Sequence, residues 1–387
     1  MIKKILIIWA GLIAGFFLAY FLVTKTNILN IGNKNSSIAD IVKPPQKIVI
    51  GFLPYWLISK AQDDYSKYIT QLSYFSLTIN SDGTIQKYTK PGESEPGYHA
   101  LSTGKVDDYL ANAKTKGLDL SLTIFSGNDE NINSFLENPQ TSAQNLINDI
   151  SPLITQYGFT DLNLDIEKVA EASPSARIKY SKFVSNVRKL LDSKISLTVD
   201  TTCISFVKDT YLVDPKEIAK SADYLVMMGY DFHNPGSYVT GPVAPQEGAG
   251  TVSEFDIESA VSAALTQVPA NKIILAVPLY GYSWETINSA TRSATMPGSG
   301  YSISSKSVEE FLGECATCSA EFDKTDEESH IVYKDEETGI YHQIFYPDDK
   351  STQIKVDFSK SKNLAGMALW ALGYEDSTIL QPFEGYK

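Results

Sequence analysis

Gly158-Phe159-Thr160-Asp161-Leu162-Asn163-Leu164-Asp165-Ile166-Glu167 is the stretch that decides the fold. It alternates apolar and polar residues from Leu162 onward, and in a strand alternate side chains point to opposite faces. Leu162, Leu164 and Ile166 go one way, toward covering helices. Asn163, Asp165 and Glu167 go the other way, into the interior of a sheet. Burying three polar groups is unfavourable unless they are used. One inward carboxylate could serve a structural hydrogen-bond network. Three polar groups in strict alternation at the end of a strand point to chemistry, and in a barrel of parallel strands that end is where active sites lie.

Working outward, seven further apolar runs share the character of Phe159–Ile166: Ile48–Leu53, Leu72–Ile79, Leu118–Phe125, Ile195–Thr201, Tyr224–Met228, Ile273–Leu279 and Gly366–Leu372. Several are almost continuously hydrophobic, as expected of parallel strands covered on both faces. Helical patterns fit between them. The clearest runs from Pro174 to Leu191, with Ser173 as cap and Pro174 at the first helical position. Its apolar face is Ala176, Tyr180, Phe183, Val184, Val187, Leu190 and Leu191. Strand and helix alternating eight times predict an α/β fold, a (β/α)8 TIM barrel, over residues 47–380. The connection between the seventh and eighth runs is too long for one helix and carries its own strand-like pieces, Ile331–Tyr333 and His342–Tyr346. Residues 285–355 are therefore expected to form a small α+β insertion.

The N-terminus reads differently. Lys3 and Lys4 precede an uncharged stretch from Ile5 to Val23, closed by Lys25. As a helix it would cover about 28 Å, close to the hydrocarbon thickness of a bilayer. No small-x-small cleavage site follows, so residues 1–24 are expected to be an uncleaved transmembrane helix, with a removed signal segment and secretion as the alternative. The lysines place the bulk of the chain outside the cell membrane. Residues 25–46, rich in Asn, Ser and Lys and ending in Pro44-Pro45, read as a linker.

Composition narrows the partners. With 33 Lys and Arg against 46 Asp and Glu, the formal charge is −13, which argues against nucleic acid. A neutral polysaccharide is compatible with it. Of the 22 Tyr, 17 Phe and 4 Trp, most are expected to serve the core, but a sugar-binding cleft also needs flat apolar faces. Three cysteines make no disulfide scaffold. Cys315 and Cys318 form a lone CxxC, weak for zinc and suited to a local disulfide if the domain is exported; Cys203 reads as a buried thiol. His99, His233, His330 and His342 lack metal-ligand spacing, so no metal site is expected.

The spacing of the acids bears on mechanism. Residues two apart on a strand lie about 7 Å apart, so Asp165 is expected to raise the pKa of Glu167 and keep it a proton donor. A nucleophile for a retaining glycosidase usually stands across the bond from the acid. Asp165, on the same strand as Glu167, is badly placed to attack carbon and better placed to orient a substrate group that does.

At these residues the chain resembles glycoside hydrolase family 18, the chitinases and endo-N-acetylglucosaminidases. The family's D-G-x-D-x-D-x-E appears as Thr160-Asp161-Leu162-Asn163-Leu164-Asp165-Ile166-Glu167. Met228-Gly229-Tyr230-Asp231 resembles its M-x-Y-D, Gly241-Pro242-Val243-Ala244-Pro245 a loop that follows, and Pro278-Leu279-Tyr280-Gly281-Tyr282-Ser283-Trp284 the end of its seventh strand. Trp370 lies where the eighth strand supplies the floor of the −1 sugar site. The resemblance implies cleavage of β-1,4 bonds next to N-acetylglucosamine, with the substrate's own acetamido oxygen as nucleophile. It gives Glu167 the role of acid and then base, Asp165 the acetamido N–H, Asn163 the tuning of Asp165, Tyr230 the acetamido carbonyl, and Met228 and Asp231 contacts to the sugar. Tyr55, Trp56 and Trp284 are candidate sugar platforms. Gly51-Phe52 and Thr123-Ile124-Phe125-Ser126 depart from the family's first and third strands; Phe52 brings no hydroxyl, whereas Thr123 is expected to offer one toward Asn163. Cleavage of peptidoglycan or spore cortex, and sugar binding without catalysis, are the alternative functions.

Overall fold

The computed structural model describes residues 46–387 except position 63. The expected membrane helix and nearly all of the expected linker lie outside the described residues. Among those residues, no helix is long and apolar enough to cross a membrane.

Eight parallel strands close into a barrel. In chain order seven of them are β1 (Ile48–Pro54), β2 (Gln71–Thr78), β3 (Asp119–Ser126), β4 (Asp161–Ile166), β5 (Ser196–Thr202), β6 (Tyr224–Met228) and β7 (Ile273–Pro278). Five insertion strands follow: β8 (Tyr280–Thr286), β9 (Tyr301–Ser304), β10 (Ala320–Asp323), β11 (Glu328–Lys334) and β12 (Tyr341–Tyr346). β13 (Gly366–Trp370) then closes the barrel between β7 and β1. All eight apolar runs in the sequence are barrel strands. The helices that cover them include α1 (Asp107–Thr115), α2 (Pro139–Tyr157), α3 (Pro174–Leu190), α4 (Ile257–Leu265) and, after the insertion helix α5 (Ser305–Glu314), α6 (Asp349–Ser361). Strict alternation fails twice. Turns join β1 to β2 among the described residues, and β5 reaches β6 through a 3-10 turn and the single helical turn Pro215–Ile218.

α3 begins as its sequence dictates, with the Ser173 hydroxyl accepting from the Ala176 N–H. Tyr180, Phe183, Val184 and Val187 are buried, but Leu190, expected on the same face, is 39% exposed because the helix ends there. Gly158 terminates α2 with φ 71°, a left-handed conformation that suits glycine, and turns the chain into β4.

The insertion is a five-stranded antiparallel sheet, ordered β9-β8-β12-β11-β10, with α5 beside it. It starts at Tyr280, directly after β7, and its last strand ends at Tyr346, so the expected limits of 285 and 355 cut through β8 and α6. A disulfide joins Cys315 to Cys318 just beyond α5. Cys203 is a buried thiol whose Sγ donates to the Met228 carbonyl at 3.0 Å. At the C-terminus the chain packs on past residue 380, with Phe383 and Tyr386 buried and the Tyr386 hydroxyl 2.7 Å from Ser359 Oγ.

The barrel interior is divided. Ile50, Phe52, Phe75, Val226, Ile274, Ala276 and Ala368 fill one side. Across from them, Ser73, Ser121, Thr123, Asp161, Asn163, Asp165, Thr198 and Asp200 are buried polar groups contributed by β2, β3, β4 and β5. Leu162, Leu164 and Ile166 join the outer core against the helices, as period two requires.

Candidate active site

The polar half of the barrel is a ladder of hydrogen bonds that rises toward the C-terminal rim. At its foot, Asp161 accepts from Ser121 Oγ (2.6 Å), Ser196 Oγ (2.6 Å) and Thr198 Oγ1 (3.0 Å). Burial still pushes this carboxyl up to about 6, against the lowering effect of the hydroxyls. One step higher, Asn163 Nδ2 donates to Thr198 Oγ1 (3.0 Å) and Asp200 Oδ1 (2.6 Å). Thr123, expected to reach Asn163, instead bonds Ser73 Oγ at 2.9 Å. The register pairs Thr123 with Asn163, but the amide gives both its hydrogens to β5 on the other side. Asn163 likewise makes no hydrogen bond to Asp165, the residue it was expected to tune, because both its donated bonds run to β5.

Above this ladder lies a cavity of about 510 Å³ at the rim. Asp165, Glu167, Met228, Tyr230, Asp231, Trp370, Tyr55 and Trp56 all line it. Thus β1, β4, β6 and β13 bring together residues more than 300 positions apart in the chain. Asp165 is only 4% exposed, while Glu167, just beyond the last residue of β4, projects into the opening. Trp370 forms the aromatic wall with Phe75 (ring centroids 4.6 Å apart), Phe52 (5.9 Å) and Trp56 (6.5 Å). Phe52, which brings no hydroxyl, is here a packing partner of Trp370.

Trp284 does not join them. It is fully buried between Tyr282 and Phe345 and donates Nε1–H to the Asn234 carbonyl at 3.3 Å. A ring with no exposed face cannot stack on a sugar, so the expected platform is a core residue of the insertion.

Asp231 has φ 63°, uncommon for a residue with a side chain. Its Oδ1 accepts from the hydroxyls of Tyr280 (2.5 Å) and Tyr282 (2.7 Å), both on β8. The following loop is held in turn. Phe232 N–H donates to the Val243 carbonyl (3.1 Å), and the Glu328 carboxylate on β11 accepts from the Val243 and Ala244 N–H groups at 2.7 and 2.8 Å.

Electrostatics differ from the expectation in one respect. Desolvation by the surrounding protein is the first cause that raises the Glu167 carboxyl, even though part of its surface faces the opening, and the charge of Asp231 adds to it. The repulsion expected to act on Glu167 falls on Asp165, which burial first and then the charges of Glu167 and Asp200 hold well above the usual carboxylate range. The direction for Glu167 is the one an acid requires; its charged neighbour is another residue.

Asp200 is the site residue that sequence reasoning missed. It is 5% exposed and lines the cavity beside Asp165 and Glu167. Thr198-Val199-Asp200 at the end of β5 shows the same inward alternation as β4, and that signal could have found it.

A model of glycosyl hydrolases family 18 matches residues 40–375. The cortical fragment-lytic enzyme of Bacillus cereus is 26% identical over 313 residues, covering 79% of this chain and 65% of that protein, so the chain spans less than two thirds of its relative's length. A class V chitinase of Arabidopsis thaliana is 28% identical over 272 residues, covering 64% of this chain and 66% of that one. Among solved structures, the Ostrinia furnacalis Group IV chitinase in complex with allosamidin superposes with a TM-score of 0.75 at 19% identity, covering 87% of this chain and 98% of its own. The Bacillus megaterium spore cortex-lytic enzyme gives 0.70 at 21% identity, covering 91% and 80%. Those two likenesses show the fold. With the match of the family model over most of its length, the chain belongs to glycoside hydrolase family 18.

Proposed function

We propose that this protein hydrolyses the β-1,4 bond next to N-acetylglucosamine with retention of configuration, the substrate's acetamido oxygen acting as nucleophile. The observation that carries this reading is Glu167, a carboxyl raised by its surroundings, standing at the end of β4 with Asp165 buried behind it on the same strand. Glu167 protonates the leaving oxygen and afterwards draws a proton from water. Asp165 receives the acetamido N–H, Tyr230 donates to the acetamido carbonyl, and Trp370 underlies the ring. Asp231, fixed by two tyrosines, contacts the sugar, and its charge adds to the desolvation that raises Glu167.

Cleavage of peptidoglycan or spore cortex is the second reading, and the Bacillus enzymes named for cortical fragments favour it. The charges of the cleft bear on the choice. Five carboxyl-bearing residues line it (Glu95, Asp165, Glu167, Asp200 and Asp231), with no Lys, Arg or His among the lining residues. Such a cleft favours uncharged sugars over those that carry a carboxylate. Sugar binding without turnover is disfavoured by the presence of Glu167. The apolar stretch Ile5–Val23 supports attachment of the whole chain to a membrane with this domain outside; recovery of a soluble form that begins near residue 25 would establish a secreted enzyme instead.

Turnover of a fluorogenic chitobioside, with chitin oligomers and purified peptidoglycan assayed side by side, tests the reading. Hydrolysis of the N-acetylated substrates and refusal of cello-oligosaccharides is expected. Binding of chitin oligomers without turnover of any N-acetylated glycoside would make the protein a lectin.

A further inference from the structure

Asp200 stands inside the barrel and has no part in the reaction set out above. The β4–β5 register pairs Asn163 with Thr198 and Leu164 with Val199, so the next inward row sets Asp165 beside Asp200. Both acids are buried and line one cavity with Glu167. Asp200 Oδ1 takes the Asn163 amide at 2.6 Å, and Thr198 takes its second bond at 3.0 Å. The Asn163 amide therefore has no hydrogen left for Asp165. The Asp165 Oδ1 and the Asn163 Oδ1 are buried acceptors without a partner. The Tyr180 hydroxyl, equally without a partner, can serve at most one of them, so the cluster still needs a protonated carboxyl as donor, and with no cation lining the cavity three neighbouring carboxyls cannot all ionise. Burial disfavours the anion on Asp200 as on Asp165, but the Asn163 hydrogen bond opposes it only at Asp200.

We propose that Asp200 is a positioning residue that carries the negative charge of this cluster, so that Asp165 keeps its proton in the resting enzyme. The placing of the proton rests on the hydrolase reading only for its kinetic consequence. The titratable groups that face Asp200 are Asp161 and Asp165 on β4, Glu167 and Lys168 just beyond it, Cys203 and Tyr211 beyond β5, Tyr230 and Asp231 beyond β6, and Tyr180 on α3. The cation among them, Lys168, is paired with Asp129 at 3.0 Å, so removal of the Asp200 charge lets Asp165 ionise at lower pH.

Infrared spectroscopy reads this without turnover. The C=O stretch of a buried protonated carboxyl is assigned to Asp165 by its loss in Asp165→Asn. At neutral pH that band is expected in the wild-type protein and absent in Asp200→Asn. In kinetics on a chitobioside, Asp200→Asn is expected to lower kcat about tenfold with KM within about twofold, and to move the alkaline limb of kcat/KM, which Glu167 sets, up by about one pH unit, because an ionised Asp165 repels the charge that forms on Glu167. The double variant Asn163→Asp/Asp200→Asn returns one amide and one carboxylate to the β4–β5 seam with the sides exchanged, and should recover both the band and the limb. A wild-type protein without the band, or a folded Asp200→Asn with band and limb unchanged, overturns the proposal. If Asp200→Asn does not fold, the double variant decides alone, and absence of recovery in it overturns the proposal. A wild-type protein that shows the band and hydrolyses nothing defeats the hydrolase reading and leaves the assignment of the proton standing.

Discussion

Replacing Trp284 by Phe separates two uses of a tryptophan at a strand end. The indole is fully buried against Tyr282, Phe345 and Val243. Phe keeps one ring and removes about three heavy atoms from the core, which at ~0.8 kcal/mol for each methylene-sized group amounts to about 2.4 kcal/mol. The Asn234 carbonyl loses its indole donor, worth about 1 kcal/mol. The expected cost is therefore about 3 kcal/mol. Unfolding entropy for a barrel of this size is about 0.7 kcal/mol/K, from ~2.1 cal/mol/K per residue, so Tm should fall by about 4 °C. KM for a chitin oligomer should stay within about twofold, because no face of the ring reaches the cavity. Trp370→Phe is the contrast. That indole is half-buried and lines the cavity, so truncation should raise KM about tenfold, equivalent to ~1.4 kcal/mol of stacking contact, with a smaller fall in Tm. Differential scanning calorimetry and initial-rate kinetics on the two variants measure both quantities. An unchanged Tm with a tenfold rise in KM for Trp284→Phe would refute the assignment of Trp284 to the core.

Glu167→Gln should lower kcat by about a thousandfold or more, since general acid catalysis contributes 10² to 10⁴ or so, while binding of a chitin oligomer measured by calorimetry survives; a variant that keeps over about a tenth of the activity would remove Glu167 from the role of acid. Glu167 works protonated, so activity should fall as pH rises through its raised pKa, and Asp231→Asn, which removes the charge that helps to raise it, should move that alkaline limb of the profile to lower pH. The first product of a β-linked N-acetylated oligosaccharide should be the β-anomer by NMR before mutarotation, and an initial α-anomer would exclude the acetamido nucleophile.

The β4 segment was legible because period two is a property of the strand itself, and it sends Asn163, Asp165 and Glu167 inward whatever surrounds them. What those groups bond to was not legible. The register pairs Asn163 with Thr123 on one side and Thr198 on the other, and the amide turns to β5 because that side offers two acceptors, the Thr198 hydroxyl and the Asp200 carboxylate, which only the closed barrel brings together. Trp284 shows the same limit from another side. An aromatic after β7 looks alike in sequence whether solvent or β12 covers it, and the β8–β12 pairing covers it. The start of the insertion was misplaced because Leu279-Tyr280-Gly281-Tyr282 continues the apolar run of β7, and nothing local marks where the chain leaves the barrel. Asp200 was readable by the rule that found β4, but its strand runs on into the polar Thr201-Thr202, which hid the alternation.

The tie between Glu328 and the N–H groups of Val243 and Ala244, together with the two tyrosines of β8 on Asp231, makes the insertion a poor candidate for modular exchange. Each clamp crosses the boundary at which a protein engineer would cut to obtain a minimal barrel or to graft another lid. A shortened chain could still close its eight strands, since the pairing of β13 with β7 and β1 does not pass through the added sheet. It would do so with Asp231 released from an uncommon backbone conformation and the loop beyond it untethered. Transplants among relatives should therefore move β8, β11 and the segment from Asp231 to Pro245 as one block, and lineages that lost the added sheet would have had to find another anchor for that aspartate.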